Sequence, residues 1–519
     1  MMRDRFFIAI LLLGAAVRLA GLGERSLSYD ECQQYWAAQG DVLRSNREIT
    51  LDPPGFAWLL HLHAGVGRAA SLLGSDASPA GEAWLRLLPC VMGILAIAVV
   101  HRMALSATGN AWTARAAALF FALAPYPIRY SQSLRVYSQA MLCAAALVAV
   151  YLVATNEEGA RGWRRPVLLA LLTFAALLSV YGSVWLVLML ALVAARRFWR
   201  ERGRATGRAL VGLVSGGALA LPWYLLSIPV QMSAGTPAHF YDDKFLPLAP
   251  WPAVRFLAIG TLDLFSFLSY IHPATGLLFG GLAVLGAVLL RRTRRGADVT
   301  TLFLGCLVLA AAASAFRLYP YGGTRQMLFA APLFYVLAAS GIEALRRRFG
   351  GLPAAAALLA MAAGAGLFLY RYHTGPGRQE MRPVIRSLQA AVLPGDRILV
   401  NKDALPQFRY YYRGDRSGVV EGRETVIGDY VAEVNRTMAA APESRWWLVF
   451  SHGWSAERRG ELEGVDPQFL STQQFEAAQA GAYLFVPRAG AAAIPGAATR
   501  PGAAASHGGA AIPAAGEIP

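Results

Sequence analysis

Residues 23–63 read GERSLSYDECQQYWAAQGDVLRSNREITLDPPGFAWLLHLH, a largely polar stretch that follows the first apolar segment. Within it Asp30 and Glu31 stand side by side at the start of a helical pattern, a few residues past a membrane exit. Ionisable groups held next to a bilayer core mark functional sites by default, so the rest of the chain is read outward from this pair.

The surroundings are apolar. With 519 residues, 56% hydrophobic, 15% charged and a mean hydropathy of +0.41, the chain is too apolar for a soluble enzyme and reads as a polytopic α-helical membrane protein. The formal charge of +16 and pI near 10.0 would suit nucleic acid, but the basic residues sit in short clusters between apolar runs. Positive-inside orientation accounts for them, and no nucleic-acid partner is expected. Lys244 and Lys402 are the only lysines, a bias toward arginine that we read as coding preference. The cysteines Cys32, Cys90, Cys143 and Cys306 show no zinc spacing and no disulfide framework.

Phe6–Leu22, preceded by Arg3 and Arg5, is read as an uncleaved first span, because no small-residue cleavage site follows it. Further spans fall near 85–105, 113–127, 134–154, 166–180, 182–195, 209–227, 273–290, 299–316, 326–345 and 352–370, with interruptions at Pro125, Pro127 and Gly182. A cytoplasmic N-terminus places the basic loops 196–208, 291–295 and 346–348 on the cytoplasmic side, provided that 252–271 lies along the outer interface. About eleven spans result, with the 23–83 and 228–272 loops and the C-terminal region outside. Residues 1–370 form the membrane module.

Beyond Arg371 the composition changes. MRPVIRSLQAA, the turn Pro394-Gly395-Asp396, RILVN, RWWLVF at 445–450 and AYLFV at 482–486 predict a small α/β domain over 371–488 on the outer face. The Ala, Gly and Pro tail 489–519 is expected to be disordered.

Asp30 suits a general base, since desolvation beside apolar surface raises carboxylate basicity, and Glu31 would steer it, bind acceptor or ligate a metal. The plainer reading is a capped helix start at Ser28 or Asp30. Asp52-Pro53-Pro54 fixes an extended entry into a helix carrying His61 and His63, which at i, i+2 are a poor metal pair. In YPIRYSQSLRVYSQ, 126–139, the residues Arg129, Tyr130, Gln132, Arg135, Tyr137 and Gln139 gather at the outer end of two helices. Arginine at that depth costs ~3 kcal/mol without a partner, and a phosphate or carboxylate fits its bidentate geometry; snorkelling to headgroups is the alternative. Arg317 and Arg325 bracket LYPYGGT as a second phosphate contact or as interfacial anchors, and HFYDDK at 239–244 lines an acceptor entrance or is a solvated loop.

SLSYDE after the first span, then DPPGFAWLLHLH, RLLPCVMGILAI at 86–97, YSQSLRVYS and TRQMLFAAPLF at 324–334 resemble, in that order, the GT-C superfamily of glycosyltransferases. The likeness is strongest to the family 39 and family 83 group, which holds protein O-mannosyltransferases and the aminoarabinose transferases of lipid A, and it covers most of residues 1–370. It implies transfer of a sugar, with inversion, from a polyprenyl-phosphate donor to a lipid, glycan or protein acceptor outside the cytoplasmic (inner) membrane. By this resemblance Asp30 is the base and Glu31 its neighbour, and Arg135, Tyr137 and Arg325 lie near donor phosphate; to these the residue reading adds Arg129 at the phosphate and Tyr29, Asp52, Tyr130 and His61 in the acceptor or donor cavity. Many relatives carry His, Lys or Asn where this chain has Asp52, which puts a phosphate role there in doubt. The residues call for no particular cofactor, and a divalent metal stays open. The alternative from another class is a lipid or anion transporter or flippase, against which stands the gathering of charge at one face and not at the bilayer midplane. A membrane scaffold leaves the inward arginines unexplained.

Overall fold

The computed structural model describes residues 4–71, 77–155, 162–233, 238–375, 377, 379–425, 429–455 and 457–488, so the tail 489–519 lies outside the described residues. The chain divides into two compact units. One comprises the chain to Glu24 and Gln33–Gly375; the other comprises Arg25–Cys32 and the chain beyond Gly375.

The first unit is helical throughout. Every apolar segment expected to span is a helix: Arg5–Leu19, Pro79–Thr108, Ala111–Leu123, Tyr137–Ala154, Arg164–Leu177, Ser183–Glu201, Arg204–Ser233, Pro273–Leu290, Arg294–Ala315, Ala331–Phe349 and Gly351–Thr374. Among the described residues eight helices are long and apolar enough to cross a membrane, and Pro250–Leu268, read above as interfacial, is one of the eight. Polar residues start these helices as side-chain caps: Asp4 accepts from the Phe7 N–H, Ser78 from Gly81, and Asn110 from Trp112 and Thr113, each satisfying donors that a helix start leaves open. The chain breaks at Pro125, where Ala111–Leu123 ends and a short helix Pro125–Ser131 begins, and at Gly182, the residue before Ser183–Glu201. All four cysteines are free and buried.

Small residues bring helix backbones together. A Cβ at Gly286 would lie 1.9 Å from the Leu337 carbonyl oxygen, and one at Gly341 2.0 Å from that of Leu282, so Pro273–Leu290 and Ala331–Phe349 meet backbone to backbone. Gly341→Val is expected to cost about 1–3 kcal/mol through overpacking, whereas Gly281→Ala, with open space around it, should leave stability unchanged or raise it. Thermal unfolding of the detergent-purified variants reads the difference; equal melting temperatures would refute the packing argument.

The C-terminal unit carries a five-stranded sheet: β1 Arg397–Val400, β2 Val419–Glu421, β3 Trp446–Phe450, β4 Phe469–Ala477 and β5 Ala480–Pro487. The order is β2-β1-β3-β5-β4, with β1 parallel to β2 and β3, and β5 antiparallel to β3 and β4. All five residues of β3 are buried because both faces are covered. Trp446, Leu448 and Phe450 join Tyr430, Val434, Met438 and Tyr483 in one core, while Trp447 stacks on Phe475 from the opposite face. The turn ahead of β1 is pinned by Asp396, whose carboxylate accepts from the Leu393 N–H at 3.0 Å and the Trp447 indole at 3.0 Å and pairs with Arg445 at 3.0 Å; Gly395 takes φ +91° there. Burial, reinforced by a hydrogen bond to Glu476, pushes the Tyr483 hydroxyl above the usual phenol range, so it stays a neutral donor.

Candidate active site

The carboxylate pair belongs to the C-terminal unit, through Arg25–Cys32. The helix Tyr29–Ala37 starts there with Asp30 and Glu31 in its first turn. Glu31, 5% exposed, accepts the Ser28 N–H at 3.0 Å, which is the reciprocal half of a capping box over Ser28-Tyr29-Asp30-Glu31. Through this bond the Glu31 carboxylate closes the helix start. Asp30, half-buried, is the other acid of that turn. Ahead of it, the Ser26 N–H and hydroxyl both donate to Glu380, at 3.1 and 2.8 Å, and the Leu27 N–H donates to the Tyr411 hydroxyl at 2.6 Å.

The membrane unit holds the cationic group. Arg135 and Asp52, separated by 83 positions in sequence, form a buried ion pair at 3.3 Å. Arg135 also lies over the Tyr137 ring, 5.7 Å from its centroid, and Arg325 is close enough to act electrostatically on the same tyrosine. The Tyr137 hydroxyl is buried and has no hydrogen-bond partner among the described residues. Tyr130 packs on Tyr137 with ring centroids 4.5 Å apart, and Arg129 lies over Tyr130 and Tyr126 at 5.9 Å. The structure thus brings Asp52, Arg129, Tyr130, Arg135, Tyr137 and Arg325 together. Two guanidiniums and an unpartnered phenol form a donor set for an oxyanion, with Asp52 as the counter-charge now in contact with Arg135.

Local backbone reasons place these groups. After Pro53-Pro54 the Gly55 N–H donates to the Leu178 carbonyl at 2.8 Å, and a Cβ at Gly55 would come within 2.5 Å of that oxygen. Only glycine permits so close an approach, and Asn46 holds the Asp52 carbonyl at 2.8 Å from the other side. The turn carrying Arg135 is anchored by Arg18, an arginine whose position inside the first span carried no functional signal in sequence. Fully buried, Arg18 donates to Ser131 at 3.1 Å and to the carbonyls of Gly14, Ala122 and Phe121 at 3.1, 2.8 and 3.1 Å. The last two are open carbonyls at the end of Ala111–Leu123, so helix-terminal dipoles replace a counter-ion. Gln132 does the same for the first helix, donating to Val17, Arg18 and Ala20.

Other residues singled out in the sequence have structural partners. His61 places Nδ1 2.8 Å from the Ala38 carbonyl, and His63 stacks on Trp84 while its Nε2 meets the Trp84 carbonyl at 2.7 Å. Arg317 pairs with Asp242. Asp243, Lys244, Trp251, Arg255, Asp263 and Tyr321 line a cavity of about 390 Å³, in which Lys244 bonds Asp263 at 3.1 Å; the charge of Asp263 is thereby matched. Among the described residues no group of three or more His, Cys, Asp or Glu side chains is placed to hold a metal.

No family model and no curated protein matches the sequence. Among solved structures the chain is similar to ArnT from Cupriavidus metallidurans in the apo state, at 14% identity and TM-score 0.57 over 92% of this chain and 97% of that one. The same protein bound to undecaprenyl phosphate gives 13% identity, TM-score 0.55 and the same coverage. The Archaeoglobus fulgidus oligosaccharyltransferase in complex with zinc and sulfate gives 12% identity and TM-score 0.52 over 86% of this chain and 67% of that one. At the level of fold, the architecture expected from the sequence is met: the chain is a polytopic α-helical membrane protein with a small C-terminal sheet, and it shares the fold of these solved structures.

Proposed function

We propose that the protein is an integral membrane glycosyltransferase that moves a sugar from a polyprenyl-phosphate donor to an acceptor outside the cytoplasmic membrane. The observation that carries this is the grouping of the buried Arg135, the half-buried Arg325 and the unpartnered Tyr137 hydroxyl. It offers two permanent cations and a neutral donor to a phosphate monoester or diester, and undecaprenyl phosphate is bound by the similar ArnT. In the proposed reaction the Asp30 carboxylate takes the proton of an acceptor hydroxyl, and the freed oxygen attacks the anomeric carbon from the face opposite the phosphate. The bond from that carbon to the phosphate oxygen breaks, and its electron pair leaves on the polyprenyl phosphate, whose growing charge Arg135, Arg325 and Arg129 stabilise. In the same proposal Asp52, Tyr130 and His61 of the membrane unit serve the donor side, while Tyr29 and Glu31 accompany Asp30, Glu31 holding the acid-bearing turn through the Ser28 N–H. A divalent metal is an open addition to this scheme, to be tested with chelator.

The test is a panel of polyprenyl-phosphate monosaccharides offered to the purified chain with candidate lipid, glycan and protein acceptors, with and without chelator. Turnover of at least one donor is expected. Vesicles that move a lipid or anion across the bilayer, with no donor bound or consumed, would replace the enzyme with a transporter.

A further inference from the structure

The four backbone N–H groups that precede Asp30 are all satisfied, and three of the four by side chains from beyond Gly375. Ser26 gives to Glu380, Leu27 to Tyr411 and Tyr29 to Gln379, at 2.6 Å to Oε1; the Ser28 N–H stays local, on Glu31. The Leu27 carbonyl is taken in turn by the fully buried Gln407 at 2.8 Å. The backbone donors of this short segment are thus all accounted for.

One of these contacts carries strain. Gln379 and His452 both adopt positive φ, +57° and +36°, where side-chain-bearing residues are uncommon. They touch each other. Gln379 Nε2 donates to His452 Nδ1 at 2.7 Å, and the His452 ring stacks on Tyr29 with centroids 4.7 Å apart and planes 18° from parallel. The Gln379 carbonyl receives a further bond from Gln407 at 3.1 Å, and Ser451 donates to Gln407. The amide therefore has its oxygen on the Tyr29 N–H and its nitrogen on the imidazole, and the stack closes the loop back to Tyr29. Backbone strain of this kind persists where the surroundings over-determine it, and its usual settings are functional ones.

We infer that Gln379 and His452 are positioning residues that hold the Asp30 turn at the geometry required for proton abstraction. This rests on the reading of Asp30 as the base. It gives the C-terminal unit a task in the chemical step, separate from any choice of acceptor, because the unit supplies the ring and the amide that fix the residue next to Asp30. A base displaced by about 1 Å loses on the order of 10²-fold in rate.

The experiment uses the full chain and the polyprenyl-phosphate sugar it turns over. Gln379→Gly removes the amide while relieving the positive φ, and His452→Gly does the same for the ring, so neither adds strain. Both are expected to lower kcat by roughly 10²-fold with the donor KM within about twofold. Gln379→Glu, whose carboxylate accepts from Tyr29 N–H and from the other tautomer of His452, should stay within about tenfold of the unaltered chain. Amide hydrogen exchange over 25–37 is read in parallel, with or without a donor, and should quicken in both glycine variants. Unchanged exchange there, or kcat within about twofold in Gln379→Gly, overturns the inference. If Asp30→Asn itself leaves turnover intact, it is the base assignment that fails, and the exchange data still decide whether the clamp exists.

Discussion

Asp30→Asn is expected to lower turnover by about 10²–10⁴-fold, the range for removing a general base, while donor still binds. The substitution is nearly isosteric and leaves a half-buried side chain in the first turn of Tyr29–Ala37, so folding should be preserved. Glu31→Gln is the informative partner. Its amide oxygen can still accept the Ser28 N–H that Glu31 Oε2 now takes, so a purely structural Glu31 predicts a small kinetic effect from that change. Single-turnover rates, with undecaprenyl phosphate affinity measured separately, read both variants. If Asp30→Asn stays within about tenfold of the unaltered chain, another group takes the proton.

Arg135→Ala should combine a loss of undecaprenyl phosphate affinity with a loss of stability. The affinity falls because a bidentate donor is gone; Arg135→Lys, a point charge on a flexible stem, is expected to recover it only in part. Stability falls because Asp52, 7% exposed, is left as a buried carboxylate without its ion pair, a change that typically costs about 3–5 kcal/mol. The double variant Asp52→Leu with Arg135→Met separates the two effects, since replacing a buried pair with apolar side chains of similar volume is often neutral or stabilising. It should restore the melting temperature but not the binding. Recovery of binding in the double variant would show that Arg135 serves Asp52 and not a phosphate.

Much of the architecture is written locally. The spans show because any helix in a bilayer must be a long apolar run, and their ends show because Ser78, Asn110 and Asp4 cap the open donors within three residues of themselves. β3 and β5 show as apolar runs because both are buried along their length. β4, whose central residues are exposed, and β2, three residues at the opposite edge, carry no such signal, since an edge strand owes its place to its neighbour's hydrogen bonds and not to its own composition.

The candidate site divides in the same way. Acids at a helix start, arginines at a span end and the proline pair are legible in sequence because each is a local departure from an apolar background. That Arg135 meets Asp52, that Arg18 ends a neighbouring helix, and that Gln379 and His452 hold Tyr29 from more than 300 positions away became visible only in the folded chain. Composition and spacing report what a segment must bury. Which groups then satisfy one another depends on contacts between segments remote in sequence, and those are set only when the helices and the sheet have packed.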